Sequence, residues 1–458
     1  MTKVFQTFNF KQVFLFISIS IMNLSLNAQM NLTYADTLEA TLSSFAYDSD
    51  MQGVASAVIF PDGSTWSSAY GHYGDEELHT DLIYDIGSNT KSMISTIILM
   101  LEEEGELNIS DSLYSFIDFI PNVPYGISLK RLLEQRSGIA NYTEHPDFFD
   151  TILDDEDFFW HPDSILSNFV SEPEFPVGLY FHYSNTNYLL LGKVIEEVEG
   201  LPLNEVLYNR LFEPLDLTNT YLEGYDAYDM THTGAFFGPG DYEIAAGVAL
   251  YSSAWSAGAV VSTPENFAGW CHQLFRGDIL SESSMIKMRT GTYLGVGSIY
   301  GLGIEEERYN GRKYLMHGGN TFQNSDMHYS LESDFSVVSM NLDAGFSDET
   351  RALQHALIDV LEFAIEHFAK IEEEKKVLSI ELFPNPSNNA ISLNLTSHAT
   401  SNNLLVKVYN TIGKVVYIQP ITNQQTILNK SDIGQGLFIV EISSESKILA
   451  TERIIFYD

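Results

Sequence analysis

Ser88 and Lys91 stand three residues apart in "YDIGSNTKSMISTIILML", Tyr84–Leu101. On a helix that spacing puts both side chains on one face, one turn apart. The start of a helix also offers unpaired N–H groups and the positive end of the dipole beside the serine. Ile94, Ile97, Ile98 and Leu101 spread apolar surface over several faces, which implies a buried helix. Desolvation pushes the pKa of a buried lysine down, and a neutral amine can take a serine proton. The chemistry in view is therefore nucleophilic attack by an activated hydroxyl. The pair alone is a weak signal, because S-x-x-K recurs at Ser284–Lys287 and Ser444–Lys447.

A nucleophile and its base need a second proton carrier and a place for an oxyanion. Tyr183-Ser184-Asn185 is the only Tyr-x-Asn in the chain, in a loop just before the amphipathic segment Asn187–Gly200. The tyrosine can shuttle a proton to a leaving group, and the amide can hold a substrate carbonyl or orient the lysine. "HGGN", His317–Asn320, enters a strand, and its paired glycines let a substrate backbone come close. An N–H from that strand, with the Ser88 N–H, would form an oxyanion hole. His317 has an ordinary pKa near ~6.5 and is mostly neutral at pH 7. The sequence contains no clustered His/Cys ligand set, so no metal and no organic cofactor is expected.

These residues lie far apart and need a fold to gather them. An early helix is expected at Leu38–Phe45 and a hairpin over Gly53–Gly71 with its turn at Pro61-Asp62-Gly63. The helix after Ser88 should end near Gly105. Residues 110–290 read as mostly helix and loop. Strands return at Lys313–Met316, Ser325–Leu331 and Ser336–Asp343, and a long helix follows over Asp348–Lys376. Strands at both ends with helices between give an α+β fold. One antiparallel sheet is built from both ends, with a helical subdomain over it. The aromatic stretch Phe148–His161 reads as a specificity lid or an ordinary surface helix.

Composition narrows the setting. The chain has 458 residues with 23 Lys+Arg against 62 Asp+Glu, a formal charge of −39. Such a surface repels nucleic acid and anionic lipid. The single cysteine, Cys271, excludes an internal disulfide framework and reads as a small core residue. Lys3, Lys11, the apolar run Val13–Leu26 and Ala28 read as a signal peptide over residues 1–28. No other segment is long and apolar enough for a membrane span, so none is expected in the mature chain. Charge then changes abruptly. Residues 29–376 hold 16 Lys/Arg against 56 Asp/Glu, whereas residues 377–458 hold 5 against 6. Two units are expected, 29–376 and 377–458. The second carries short strands separated by Asn, Gly and Ser, the pattern of a small all-β sandwich.

Several stretches, in order, resemble the serine hydrolases of the penicillin-binding-protein and class C β-lactamase superfamily, which includes D-alanyl-D-alanine carboxypeptidases, D-aminopeptidases and class VIII esterases. They are "IGSNTKSM", "ISLKRLLEQRSGI", "FPVGLYFHYSNTNYLLLGKVIEEVEG", "SAGAVVSTPENFAGW" and "MHGGN", within roughly residues 35–368. The resemblance implies Ser88 as the acylated nucleophile, Lys91 as its base and Tyr183 as general acid/base beside Asn185. It puts His317-Gly318-Gly319 in the place of the family's Lys-Thr-Gly strand and gives the second oxyanion N–H to Asn320. His317 and Gly318 depart from that pattern by removing a fixed cation and a hydroxyl, which weakens the case for a β-lactam specialist.

The tail has its own resemblance. "FPNPSNNAISLNL", "VKVYNTIGKVV" and "GLFIVEI" look like the C-terminal sorting domain of type IX secretion cargo. That resemblance implies the type IX machinery as a partner and a secreted or outer-membrane-surface location. The reading as a whole is a secreted acyl-enzyme hydrolase of small peptides or esters, D-alanyl-D-alanine carboxypeptidase-like or a D-amino-acid peptidase. A class VIII-type esterase or a β-lactamase is the alternative in the same class. A catalytically inert, surface-anchored binding protein is the alternative in another.

Overall fold

The computed structural model describes residues 34–457 apart from 237–242, 245–246, 296, 375–379, 396–403, 411–412, 424 and 445–446. The expected signal peptide and the expected seam at residues 376/377 both lie outside the described residues. Packing divides the described residues into two compact units, Leu42–Leu357, and those of Ile358–Asp458 together with the described residues up to Thr41.

The larger unit is organised by one nine-stranded antiparallel sheet. Its strands in chain order are β1 (Gly53–Ile59), β2 (Thr65–Tyr73), β3 (Glu76–Glu77), β4 (Thr292–Gly295), β5 (Ser298–Tyr300), β6 (Glu305–Tyr309), β7 (Arg312–Asn320), β8 (Asn324–Ser330) and β9 (Ser336–Asn341). Their spatial order is β3-β2-β1-β9-β8-β7-β6-β5-β4. Early and late strands meet where β1 pairs with β9, Val54 opposite Asn341 through Ile59 opposite Ser336. β1 and β9 are buried almost throughout, which suits their Val- and Ala-rich or Val- and Met-rich sequences.

The longer helices are α1 (residues 34–48), α2 (Thr90–Glu104), α3 (Asn185–Glu199), α4 (Pro264–Arg276) and α5 (Ser347–Glu374), with shorter helices and turns between them. α2 carries eleven buried residues and ends at Gly105, which is left-handed at φ 80° and closes the helix through its N–H. It packs against α3, while α4 covers β1, β8 and β9. Thr263 caps α4 through its side chain, with Pro264 at the first helical position. The start of α5 is tied to the sheet: Gln354 donates to Val337 O at 2.6 Å and accepts from Ser339 Oγ at 2.6 Å.

The sheet, the hairpin and the late strands follow the expectation. β4 to β6 were not foreseen. They are short, carry Gly, Glu and Arg, and show no clean alternation, so no period-2 pattern marks them.

In the other unit, two antiparallel sheets form a small sandwich. One holds Ile380–Phe383, Ala390–Leu395 and Gln425–Asn429. The other holds Leu404–Tyr409, Val415–Ile421, Gly436–Ser444 and Lys447–Phe456. Alternate residues Leu404, Val406 and Val408 point inward with Ile391, Leu393 and Val440 into a core of their own. Among the described residues no helix is long and apolar enough to cross a membrane.

Candidate active site

Ser88 lies in a single 3₁₀ turn, Gly87–Asn89, that runs into α2 at Thr90. The turn is fastened from both sides. Asn89 donates from Nδ2 to Ile86 O at 2.8 Å and to Ser325 Oγ on β8 at 3.0 Å. Thr90 Oγ1 donates to Gly87 O at 2.7 Å and accepts from Val260 N at 3.1 Å. The end of β7 lies directly against it. A Cβ on Gly87, already left-handed at φ +51°, would sit 2.7 Å from Asn320 N. A Cβ on Gly319 would meet Ile86 O at 2.1 Å. Both positions therefore need glycine for the two segments to touch.

Lys91 is fully buried. Its Nζ contacts Ser88 Oγ at 2.9 Å, Asn185 Oδ1 at 2.7 Å and Ala257 O at 2.6 Å. All three partners are neutral, and burial lowers the lysine well below its ordinary value. A neutral amine has two hydrogens and one lone pair. The two carbonyl-type oxygens can only accept, so they take the hydrogens, and the lone pair is left facing the serine hydroxyl. Asn185, the first residue of α3, is held in turn. Its Nδ2 donates to Thr143 Oγ1 at 3.2 Å, and its N–H to Asn141 Oδ1 at 3.1 Å. Of the two roles foreseen for Asn185, this geometry is the one that orients the lysine.

The Tyr183 ring lies 4.9 Å from Lys91 Nζ. Its hydroxyl is shielded from solvent and closes no hydrogen bond of good geometry. Burial drives its pKa well above the ordinary phenol value, and the nearness of Ser88 offsets this only in part. Tyr183 is thus a neutral hydroxyl at rest, able to donate. His317 is also buried, with its ring centroid 6.5 Å from that of Tyr183. Its Nδ1 lies 2.6 Å from Gly318 O, so Nδ1 carries the proton and Nε2 is a bare lone pair without a partner among the described residues. Burial, with the nearby Lys91, pushes its pKa down to about 3. His317 is neutral, as expected, and more firmly than the free imidazole value alone would require.

Two hollows open on Ser88. One, of about 110 Å³, is lined by Phe148, Phe149, Leu250 and Phe322 with Thr143 and Asn185. The other, of about 250 Å³, is lined by Tyr183, Glu305, His317, Gly318, Asp326 and Arg351 among others. All eight residues singled out from sequence therefore converge. Lys91 meets Ser88 and Asn185 directly, the Tyr183 ring stands beside its amine, and His317, Gly318, Gly319 and Asn320 form the facing strand end. Phe148 and Phe149, from the aromatic stretch, line the smaller hollow.

Sequence reasoning missed the supports. Asp85, two residues ahead of Gly87, is buried and accepts from His232 Nε2 at 2.8 Å, Tyr251 OH at 2.9 Å and Thr321 Oγ1 at 3.0 Å. It thereby joins the segment before the serine to the residue after Asn320. A carboxylate three residues before Ser88 was the available signal. The fold also gathers Glu307, His328 and His355, which no sequence spacing announced. His328 Nε2 lies 2.9 Å from Glu307 Oε2, and its buried Nδ1 has no partner. A metal on Nε2 would force a proton onto Nδ1 with no acceptor for it, so the trio fits a hydrogen-bonded cluster better than a metal centre.

The Beta-lactamase family model matches residues 38–357, and the Secretion system C-terminal sorting domain model matches residues 381–457. A putative penicillin-binding protein PbpX of Bacillus subtilis is 29% identical over 225 residues, 48% of this chain and 52% of that protein. Penicillin-binding protein 4 of Amycolatopsis lactamdurans is 29% identical over 175 residues, 36% of this chain and 43% of that protein. The matched stretches thus span about half, or less, of these curated relatives. Among solved structures, a D-stereospecific amidohydrolase from Streptomyces sp. superposes with a TM-score of 0.61 at 25% identity, over 69% of this chain and 97% of its own. A D-amino acid amidase from Ochrobactrum anthropi shares the fold, with a TM-score of 0.62 at 22% identity over 74% and 99%. With the family model covering most of the chain, the protein belongs to the β-lactamase family of serine hydrolases and carries a C-terminal secretion sorting domain.

Proposed function

We propose that the protein is a secreted hydrolase that works through an acyl-enzyme on Ser88 and cleaves amide or peptide bonds of D-amino-acid substrates. The observation that carries this reading is the buried Lys91 amine, 2.9 Å from Ser88 Oγ with only neutral partners. Ser88 Oγ attacks the substrate carbonyl and its proton passes to Lys91. The N–H groups of Ser88 and Asn320 receive the oxyanion. The Tyr183 hydroxyl gives its proton to the leaving amine and is refilled from Lys91. Water then attacks the acyl-enzyme by the reverse route, giving its proton to the same pair and releasing Ser88.

The Streptomyces relative, named a D-stereospecific amidohydrolase at 25% identity, supports the substrate class. The penicillin-binding relatives support the acyl-enzyme. The sorting domain supports export, by the type IX route, of a hydrolase domain over residues 29–376 followed by the domain at 377–458. An inert binding protein would not need Ser88, Lys91, Tyr183 and Asn185 in working contact. The test is turnover of paired D- and L-amino-acid amides, short acyl esters and a penicillin by wild type and Ser88→Ala. Hydrolysis of D-amides that vanishes in the variant supports the proposal. Turnover of esters or penicillin with D-amides untouched would replace it by the esterase or β-lactamase reading.

A further inference from the structure

The larger hollow has an unbalanced charge. Arg351 reaches it from α5, but its guanidinium is taken. Nε lies 2.8 Å from Asp326 Oδ2 and Nη2 lies 2.9 Å from Asp326 Oδ1, a bidentate pair with a buried carboxylate. Glu305, on β6, lines the same hollow with Ser88 and Tyr183. Among the described residues its one side-chain hydrogen bond is a long one, from Ser298 Oγ at 3.3 Å to Oε2. Burial raises the Glu305 pKa, and the Arg351 charge only partly offsets this. His317 is neutral, and Asn320, Asn324 and Ser325 carry no charge. Two carboxylates therefore face one guanidinium, and the guanidinium is already matched by Asp326. Gly318 places no side chain between the Asp326–Arg351 pair and the strand edge. A Cβ there would lie 3.0 Å from Asp326 Oδ1.

We propose that this hollow selects by charge, with Glu305 receiving an ammonium or amide N–H of the substrate and excluding a carboxylate. The inference rests on the acyl-enzyme reading above and narrows its substrate class to amides, internal peptide bonds and cationic substrates. A substrate carboxylate entering here meets an uncompensated negative charge and loses its water without gaining a partner. An N–H donor does the reverse, because it satisfies a carboxylate that the fold has already partly desolvated.

The test uses two reversible serine probes of equal size, 3-(aminomethyl)phenylboronic acid and 3-carboxyphenylboronic acid. Each is assayed for slowing fluorophosphonate labelling of Ser88 in the full chain. The ammonium probe should be the tighter by about tenfold or more, the scale of one close charge pair. Glu305→Gln should shrink that ratio toward one and improve the carboxylate probe. Asp326→Asn, which releases Arg351, should improve the carboxylate probe by an independent route. Equal potency of the two probes, a preference for the carboxylate, or a ratio unmoved in Glu305→Gln would overturn the proposal. If fluorophosphonate never labels Ser88, it is the acyl-enzyme reading that fails, and this inference falls with it.

Discussion

Lys91 donates to Asn185 Oδ1 at 2.7 Å, across 94 residues of sequence. The contact fixes the direction of the amine and leaves its lone pair for Ser88. A side chain of the same shape but opposite demand should reverse the effect. Asn185→Asp puts a carboxylate where a neutral amide stood, which favours the ammonium form of Lys91. The base then needs higher pH to lose its proton. The acid limb of kcat/KM should move toward alkaline pH, with most activity at pH 7 lost and part of it recovered at pH 9. A pH–rate profile of the variant checks this, and an unshifted acid limb would contradict it.

Lys91→Met should lower kcat/KM by about 10²–10⁴, the range of a lost general base. Its stability carries a second signature. The folded lysine has a depressed pKa, whereas the unfolded one titrates near ~10.4. Below the unfolded value, the unfolded chain binds a proton that the native state resists. Wild-type stability should therefore rise with pH from the neutral range toward about 10.4, relative to the methionine variant. Denaturant unfolding of both proteins at pH 7 and pH 10 measures the difference.

Tyr183→Phe removes a hydroxyl that is shielded and closes no hydrogen bond of good geometry. Stability should change by less than about 1 kcal/mol. Activity should fall by about 10²–10⁴ if the hydroxyl carries the leaving-group proton. Thermal unfolding and kcat together separate the two effects, and a large loss of stability would recast Tyr183 as a packing residue.

Asp85 ties Thr321 to the segment ahead of Ser88. Asp85→Asn should cost about 1–3 kcal/mol, because three donors now face a weaker and partly mismatched acceptor. Burial opposes charge on His232, but the hydrogen bond and charge of Asp85, with Glu223, hold its pKa above the ordinary value. A raised histidine pKa adds stability that is complete below the unfolded value near ~6.5 and fades as pH climbs through the folded value. The stability gap between wild type and variant should therefore be widest in acid and narrow above neutrality. Melting curves from pH 5.5 to 8.5 read this directly.

The catalytic groups were legible because each sits in a local pattern. Ser88 and Lys91 share a turn spacing, Tyr183 and Asn185 flank the start of a strongly periodic helix, and His317–Asn320 interrupts a β-run with two glycines. The framework was legible where alternation or long apolar runs marked β1, β9 and α2. What stayed hidden depends on contacts that no spacing encodes. Ala257 contributes only a backbone oxygen, Asp85 acts through partners 147 and 236 residues away, and Arg351 matters through its pairing with Asp326. The charge of the larger hollow could be read only once Glu305, Asp326 and Arg351 were seen on one side of Ser88.

The central claim is that Ser88 is a nucleophile activated by a neutral Lys91. The most direct measurement is the intact mass of the protein after fluorophosphonate treatment, in wild type, Ser88→Ala and Lys91→Met. The account predicts a single adduct in wild type, mapped to Ser88, none in Ser88→Ala, and labelling in Lys91→Met slowed by about 10²-fold or more. An unlabelled but folded wild type, or an adduct that survives in Ser88→Ala, would contradict it.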